Sequence, residues 1–486
     1  MNALLATLPI CLVLFFLTPK RSLKRFLILS GIVTIPFETT YSFVTLGARS
    51  GWVNGIQISL SEVLFIIVFG YLLVKRQVFY SSRKMMVPLA LFICACTLSL
   101  INSRSGTLTL WQVIMMGQLG FLYYYVFSNA IETEEDVELV LRSFRLALIL
   151  QGGIACAQVF SGQSLDYFST GYARETLMRV GEEWSRAQGT TPEPNSFAAY
   201  LVPLIVMNIS IKGRTRGEKR LRQLASCLGV LALLFSFSRG GWTSCSVALM
   251  FYLYYGVRRG LLDRKRVVRV VLVMALVAAA FWPLIAVRIF GDDHNAAMSR
   301  VPLIELAFNM IRAHPLLGIG ANTFGNEIRN YVTPDLLGLY LYEVHNMYLL
   351  VWAETGLIGL AAFVLFLVTL IKESRAAMGA GGGSVGTSLR VTPRRSAGLS
   401  LVRQEPEPEG TRRKGADGLV RYLGLGVYLG VVAMAVHMMV DIFNSRVLLA
   451  SLLVLAGLIT ASERLALKEG AASKPLDGRL ARRVSA

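Results

Sequence analysis

The sequence predicts an all-α polytopic membrane bundle of about 12–13 transmembrane helices, and three observations carry that prediction. The 486 residues are 54% hydrophobic and only 16% charged, with a mean hydropathy of +0.55; a soluble chain of this length needs far more charge to cover its surface. Apolar runs long enough, or nearly long enough, to cross a bilayer recur along the chain. The basic residues fall in short clusters between those runs. The net charge of +19 therefore reads as a positive-inside signature and not as a nucleic-acid-binding surface.

The runs lie near 3–18, 25–37, 59–74, 86–101, 108–129, 144–161, 195–211, 223–238, 241–257, 267–290, 345–371, 420–442 and 446–462. The first two are short and read either as two spans or as one broken hairpin. The N-terminal run ends in PKRSLKR without a small-residue cleavage site, so it is expected to be retained. Basic clusters at Lys20–Arg25, Lys75–Lys84, Lys212–Arg222 and Arg258–Arg269 all fall on one side of this arrangement, assigned to the cytoplasm. The opposite side receives 38–58, 162–194 and 291–344.

Three segments depart from the apolar pattern. Residues 132–145 begin acidic; Thr133 and Asp136 have capping-box spacing, and a short structural helix at the membrane interface is expected. The insert 372–419 is rich in Gly, Ser, Pro and mixed charge, which cannot bury enough apolar surface to offset chain entropy; it is expected to be a disordered cytoplasmic linker. The tail from 464 to 486 is similar and basic. The expected organisation is thus a membrane bundle over 1–371, the insert, the last two spans over 420–463, and the tail. All six cysteines lie in apolar runs, where Cys packs as a small hydrophobe, so no disulfide framework or metal site is read from them.

The chemistry concentrates on the outer side. Residues 299–359 form a polar island between apolar runs, holding His314 and His345, two of the four histidines. Outer loop 291–344 is expected to cap a site over the bundle. Arg186 lies in RAQGTTPEPNSFAAYL, Arg239 in SFSRGGW beside two glycines, and Arg300 at the start of the cap, where Ser299 and Pro302 mark a helix start. His345 and Asn346 stand where the chain re-enters the membrane. His437 and Asp441, four apart, share one helix face near its outer end. A single arginine at a membrane edge commonly snorkels to headgroups. Here three arginines, a histidine and an aspartate converge on one leaflet, which describes an anion site with a base. His314 reads as a turn or cap residue, and Glu354 as a hydrogen-bonding residue on the face away from His345. Asp292 and Asp293 beside His294 are the one candidate cation site, but adjacent acids on a loop are usually just solvated.

The motifs SFSRGGW, HPLLGIGANTF and HNMYLLVWAETGLIGL, with RAQGTTPEPNSFAAYL upstream, resemble the O-antigen ligase and polymerase family of bacterial glycosyltransferases. The resemblance spans roughly residues 57–462, interrupted by the insert. It implies a helical fold of the GT-C type in the bacterial inner membrane, a periplasmic active site, no metal and no cofactor. It also implies an undecaprenyl-diphosphate-linked glycan as donor and a glycan or lipid A-core hydroxyl as acceptor. By the same resemblance His345 is the essential histidine, with Arg186, Arg239 and Arg300 on the diphosphate and Asp441 as a late-span acid. Asp441 would orient His345, while Asn346 and His437 would contact substrate, and attack would invert the anomeric centre.

Two other classes share this composition. A flippase or other transporter of lipid-linked glycans would place ionisable groups deep in the bundle and show inverted repeats; the sequence has neither. A non-catalytic member of a polysaccharide export complex would use the insert for docking. Ligase and polymerase are not distinguished by the sequence.

Overall fold

The computed structural model describes residues 13–16, 18, 22–37, 40–45, 53–77, 79–163, 179–180, 184–211, 215–260, 262–290, 298–339, 341–379, 413–443 and 445–472. The helices are α1 (Leu23–Val33), α2 (Leu60–Val74), α3 (Arg83–Leu98) and α4 (Gly106–Leu119). Helix α4 continues through a π turn (Gly120–Val126) into α5 (Phe127–Ala130). Then come α6 (Glu134–Ser161), α7 (Pro194–Ser210), α8 (Arg216–Phe235), α9 (Arg239–Arg258), α10 (Arg264–Ala280) and α11 (Trp282–Phe290). The series ends with α12 (Val301–Ala313), α13 (Phe324–Tyr331), α14 (Met347–Gly379), α15 (Arg413–His437) and α16 (Arg446–Ala472). The all-α polytopic bundle is borne out. The run at 3–18, most of the insert and the GDDHN segment lie largely or wholly outside the described residues.

The remaining runs coincide with helices, but not all are full spans. Five described helices are long and apolar enough to cross a membrane alone, and α10 with α11, bent by 70°, makes a sixth as one broken span. Helix α1, at 11 residues, reaches only about 16 Å, roughly half of a ~30 Å hydrocarbon core.

Two expectations need correcting. The acidic segment after 132 is no separate interfacial helix: Thr133 closes a capping box with Asp136, and the helix runs unbroken for 28 residues. A good N-terminal signal followed by continuous helix-forming sequence gives nothing to stop it. The loop 38–58 also contains a two-stranded antiparallel hairpin, β1 (Thr40–Thr45) with β2 (Gly55–Ser59), where no strand was foreseen.

Side-chain pairs sort the residues to two opposite ends of the bundle. At one end Lys24 pairs with Glu132 and Asp136, Lys84 lies 2.8 Å from Glu373, and the Arg464 guanidinium donates to the Ser128 and Ile131 carbonyls. At the other, Arg446 pairs with Glu62 at 2.5 Å and donates to the Gln57 carbonyl at 2.9 Å. There too, Asn322 donates to the Val53 carbonyl at 2.9 Å. Lys24, Lys84 and Arg464 lie at the first end, and the predicted site residues at the second.

Helix α14 sets the geometry of that second end. It is broken at Gly356, whose φ of 67° and ψ of −172° are open only to glycine. The Tyr348 and Phe363 rings stand 6.2 Å apart, although fifteen residues of straight helix cover about 22 Å. The first turns are therefore folded over. A loop is wedged into the elbow: Leu357 N–H donates to the Pro315 carbonyl at 2.8 Å, Ile319 to Ala353 at 3.0 Å and Gly320 to Glu354 at 2.9 Å. These bonds satisfy backbone groups that the break exposes. The Glu354 carboxylate accepts from the Asn322 and Phe324 N–H groups at 2.9 and 3.1 Å, fixing the start of α13. HPLLGIG is thus the wedge and ETGLIG the socket.

Candidate functional site

The elbow delivers Asn346 and His345 to the outer end of α15. Asn346 donates to the Met439 carbonyl at 2.9 Å, while its own carbonyl oxygen caps α14 by accepting from Leu349 N–H at 3.0 Å. Met347 N–H donates to the Met438 carbonyl at 2.8 Å. His345 Nδ1 lies 3.1 Å from the Glu343 carbonyl oxygen. A carbonyl can only accept, so the ring proton sits on Nδ1 and the lone pair on Nε2. Burial, first, and then Arg300 hold the His345 pKa below the usual value, against the Glu343 bond that raises it.

Arg186 stands in the loop before α7, held by two bonds: Nε to the Ser236 carbonyl and Nη2 to Asn195 Oδ1, both at 2.9 Å. The loop is fastened from α6, where the Gln158 side chain accepts from Gln188 and Gly189 N–H and donates back to the Gly189 carbonyl. Gln151 donates to Thr190 Oγ1 at 2.8 Å. Gly189 has φ +57°, and a Cβ there would meet the Phe197 ring at 2.3 Å.

Arg239 is the first residue of α9, behind the N-cap Ser238, whose hydroxyl accepts from Gly241 N–H. The two glycines after it admit neighbours. A Cβ at Gly240 would lie 2.9 Å from His437 Nε2, and one at Gly241 2.6 Å from the Ala198 Cβ. Arg300 is the residue capping α12, in place of the expected Ser299, and its guanidinium donates to the Val440 carbonyl at 3.1 Å.

The charges converge. Burial, first, and then the neighbouring Arg288 lower the Arg186 pKa to about 10, with Asp441 and Glu193 opposing and Arg239 adding to the shift. Asp441 is pushed up to about 6 by burial, against its bond from Ile442 N–H and the pull of Arg300 and Arg186. Asp441 thus sits within the field of two of the predicted arginines. His437 is 1% exposed, its Nε2 is 3.7 Å from Asp441 Oδ2, and neither ring nitrogen has a hydrogen-bond partner among the described residues.

One predicted pairing is not found. Asp441 faces His437, one helical turn before it, and no contact joins it to His345; the Glu343 carbonyl orients the His345 ring. The i,i+4 geometry brings Asp441 to the histidine of its own segment. Sequence reading also missed Arg288, which donates to the Phe237 carbonyl at 2.9 Å and crowds Arg186. Its signal was a lone arginine near the outer end of an apolar run, overlooked because that run looked like a plain span. His314 ends α12 as its C-cap, and Glu354 is the hydrogen-bonding residue expected.

A family model described as O-antigen ligase matches residues 224–364. The match takes in Arg239, Arg288, Arg300, His345, Asn346 and both halves of the elbow; Arg186, His437 and Asp441 lie outside it. No curated protein matches the chain. Over residues 224–364 the chain is thus similar to the O-antigen ligase family, and its described helices include several long and apolar enough to cross a membrane.

Proposed function

We propose that the protein transfers a glycan from an undecaprenyl-diphosphate carrier to an acceptor hydroxyl, on a sugar chain or a lipid A core, at the periplasmic face of the bacterial inner membrane. The observation that carries this reading is the crowding of buried Arg186 by Arg288 and Arg239, with Arg300 acting on the same Asp441. Guanidinium groups gathered around one buried arginine suit a multiply charged anion. Arginine binds phosphate oxygens in a bidentate fork, and it stays charged even when burial lowers its pKa to this extent.

The acceptor oxygen attacks the anomeric carbon as the bond to the diphosphate oxygen breaks. The electron pair leaves on the diphosphate, where Arg186, Arg239, Arg288 and Arg300 offset the growing charge. The acceptor proton passes to His345 Nε2, and the low pKa of this ring keeps the nitrogen unprotonated at working pH. Asn346 lines the substrate side, with the buried His437 ring behind it rather than on the substrate as expected, and Asp441 holds the arginines in place between reactions. Attack opposite the leaving group inverts the anomeric carbon. The arginines supply the positive charge that a metal would otherwise bring.

The test is transfer by purified protein from a polyprenyl-diphosphate glycan to an acceptor, with excess EDTA present. Arg300→Lys keeps the charge but loses the fork and is expected to be impaired. Arg300→Ala loses about 2–4 kcal/mol of transition-state stabilisation and is expected to be slower by roughly 30- to 1000-fold. Movement of the intact lipid-linked glycan across vesicles without transfer would favour a transporter instead.

A further inference from the structure

Far from the outer site, a crevice of about 490 Å³ opens between α3 and the α4 π turn. Met86, Leu89 and Ile93 line it on one side and Gly117, Gly120 and Phe121 on the other, with Ser81 at one mouth. Two features of α4 create it. Gly117 has no side chain to fill it, and a Cβ there would meet nothing within 4 Å. The π turn from Gly120 displaces the helix backbone, a local cost that recurs at functional sites.

The length of the crevice and the exposed Arg83 at its mouth fit one occupant. From Ser81 to Ile93 the crevice follows α3 for about 18 Å, close to one leaflet's half of a ~30 Å core. It begins at the basic end of the bundle, where Arg83 is exposed and Lys84, 63% exposed, lies 2.8 Å from Glu373 and 3.9 Å from Glu463. A chain descending from the outer leaflet would fill the other half of the bilayer.

We infer that this crevice binds one acyl chain of an anionic phospholipid from the basic-side leaflet, with the headgroup against Ser81 and Arg83. Anionic headgroups concentrate in the cytoplasmic leaflet, so the inference uses the same orientation as the proposed periplasmic site but no residue of it.

The test uses the full chain, purified and exchanged into mixed micelles holding dioleoyl phosphatidylglycerol or dioleoyl phosphatidylcholine, read by native mass spectrometry and thermal unfolding. Wild type is expected to retain one phosphatidylglycerol and to melt several degrees higher with that lipid than with phosphatidylcholine. Gly117→Leu fills the crevice and is expected to lose both, while Gly117→Ala leaves room and keeps them. Arg83→Gln is expected to bind the two lipids alike. If Gly117→Leu does not give a monodisperse protein, Ala90→Leu, which projects into the same crevice, serves the same reading. Equal retention by wild type and the filled variant overturns the inference, as does a polyprenyl phosphate or a partner polypeptide as the species the filled variant loses.

Discussion

Gly356→Ala tests how the site is built. At φ 67° and ψ −172° an alanine is strained, at a cost of about 1–3 kcal/mol. Its Cβ would also stand 2.1 Å from the Leu316 carbonyl carbon and oxygen and 2.4 Å from Leu317 N. Those atoms are backbone and cannot rotate away, so the wedge must move. Moving it breaks the bond from Leu357 to Pro315 at 2.8 Å and the longer one from Ile358 to Leu316 at 3.4 Å, each worth about 0.5–1.5 kcal/mol net. The total, about 2–6 kcal/mol, is a large part of any domain's stability. The assay is thermal unfolding in detergent beside glycan transfer, with Gly153→Ala as control, because a Cβ at Gly153 meets nothing within 4 Å. Wild-type melting and turnover in Gly356→Ala would show that the elbow does not hold His345 and Asn346 in place.

Asp441→Asn separates stability from activity. Burial raises the folded pKa of Asp441 to about 6 from 3.8, so the folded protein prefers the protonated carboxyl. That preference stabilises fully below about pH 4 and is lost as pH rises through 6; the shift of about two units corresponds to about 3 kcal/mol. At pH 8 the asparagine variant is expected to melt higher than wild type and to transfer more slowly, with equal melting near pH 4; a lower melting temperature at pH 8 would refute the burial argument. Single cysteines placed in 300–339 are expected to react with an impermeant maleimide from outside the cell, and those in 380–412 only after the membrane is opened. The reverse labelling would place the arginine cluster on the wrong face.

The membrane class was legible because apolar runs and basic clusters are one-dimensional signals, and their two-sided sorting reappears in the pairs Lys24–Glu132 and Lys84–Glu373 at one end. Capping at Thr133 was legible for the same reason, being local. The elbow was not. Nothing within HPLLGIG says that its carbonyls face ETGLIG some forty residues later, although its glycines signalled close approach. Helix α1 was left between a span and half of a broken hairpin because apolarity reads composition, while length depends on where the turn at Thr34 falls. At the site, convergence of Arg186, Arg239, Arg300 and Asp441 on one end was readable from topology. The partner of His345 was not, since a backbone carbonyl such as that of Glu343 leaves no trace in the choice of side chain.

The central claim is that His345 accepts the acceptor proton while the arginines hold the diphosphate, and His345→Gln tests it most directly. Glutamine can keep a hydrogen bond in place of the ring but takes up no proton near neutral pH. Donor binding and product formation are measured together with purified protein, a polyprenyl-diphosphate glycan and an acceptor. The wild-type rate is expected to fall only below pH 6.5, because burial lowers the His345 pKa. His345→Gln is expected to bind donor as tightly as wild type and to lose transfer across the whole pH range. Near-normal turnover in His345→Gln would contradict the account and leave His345 as one more contact to the diphosphate.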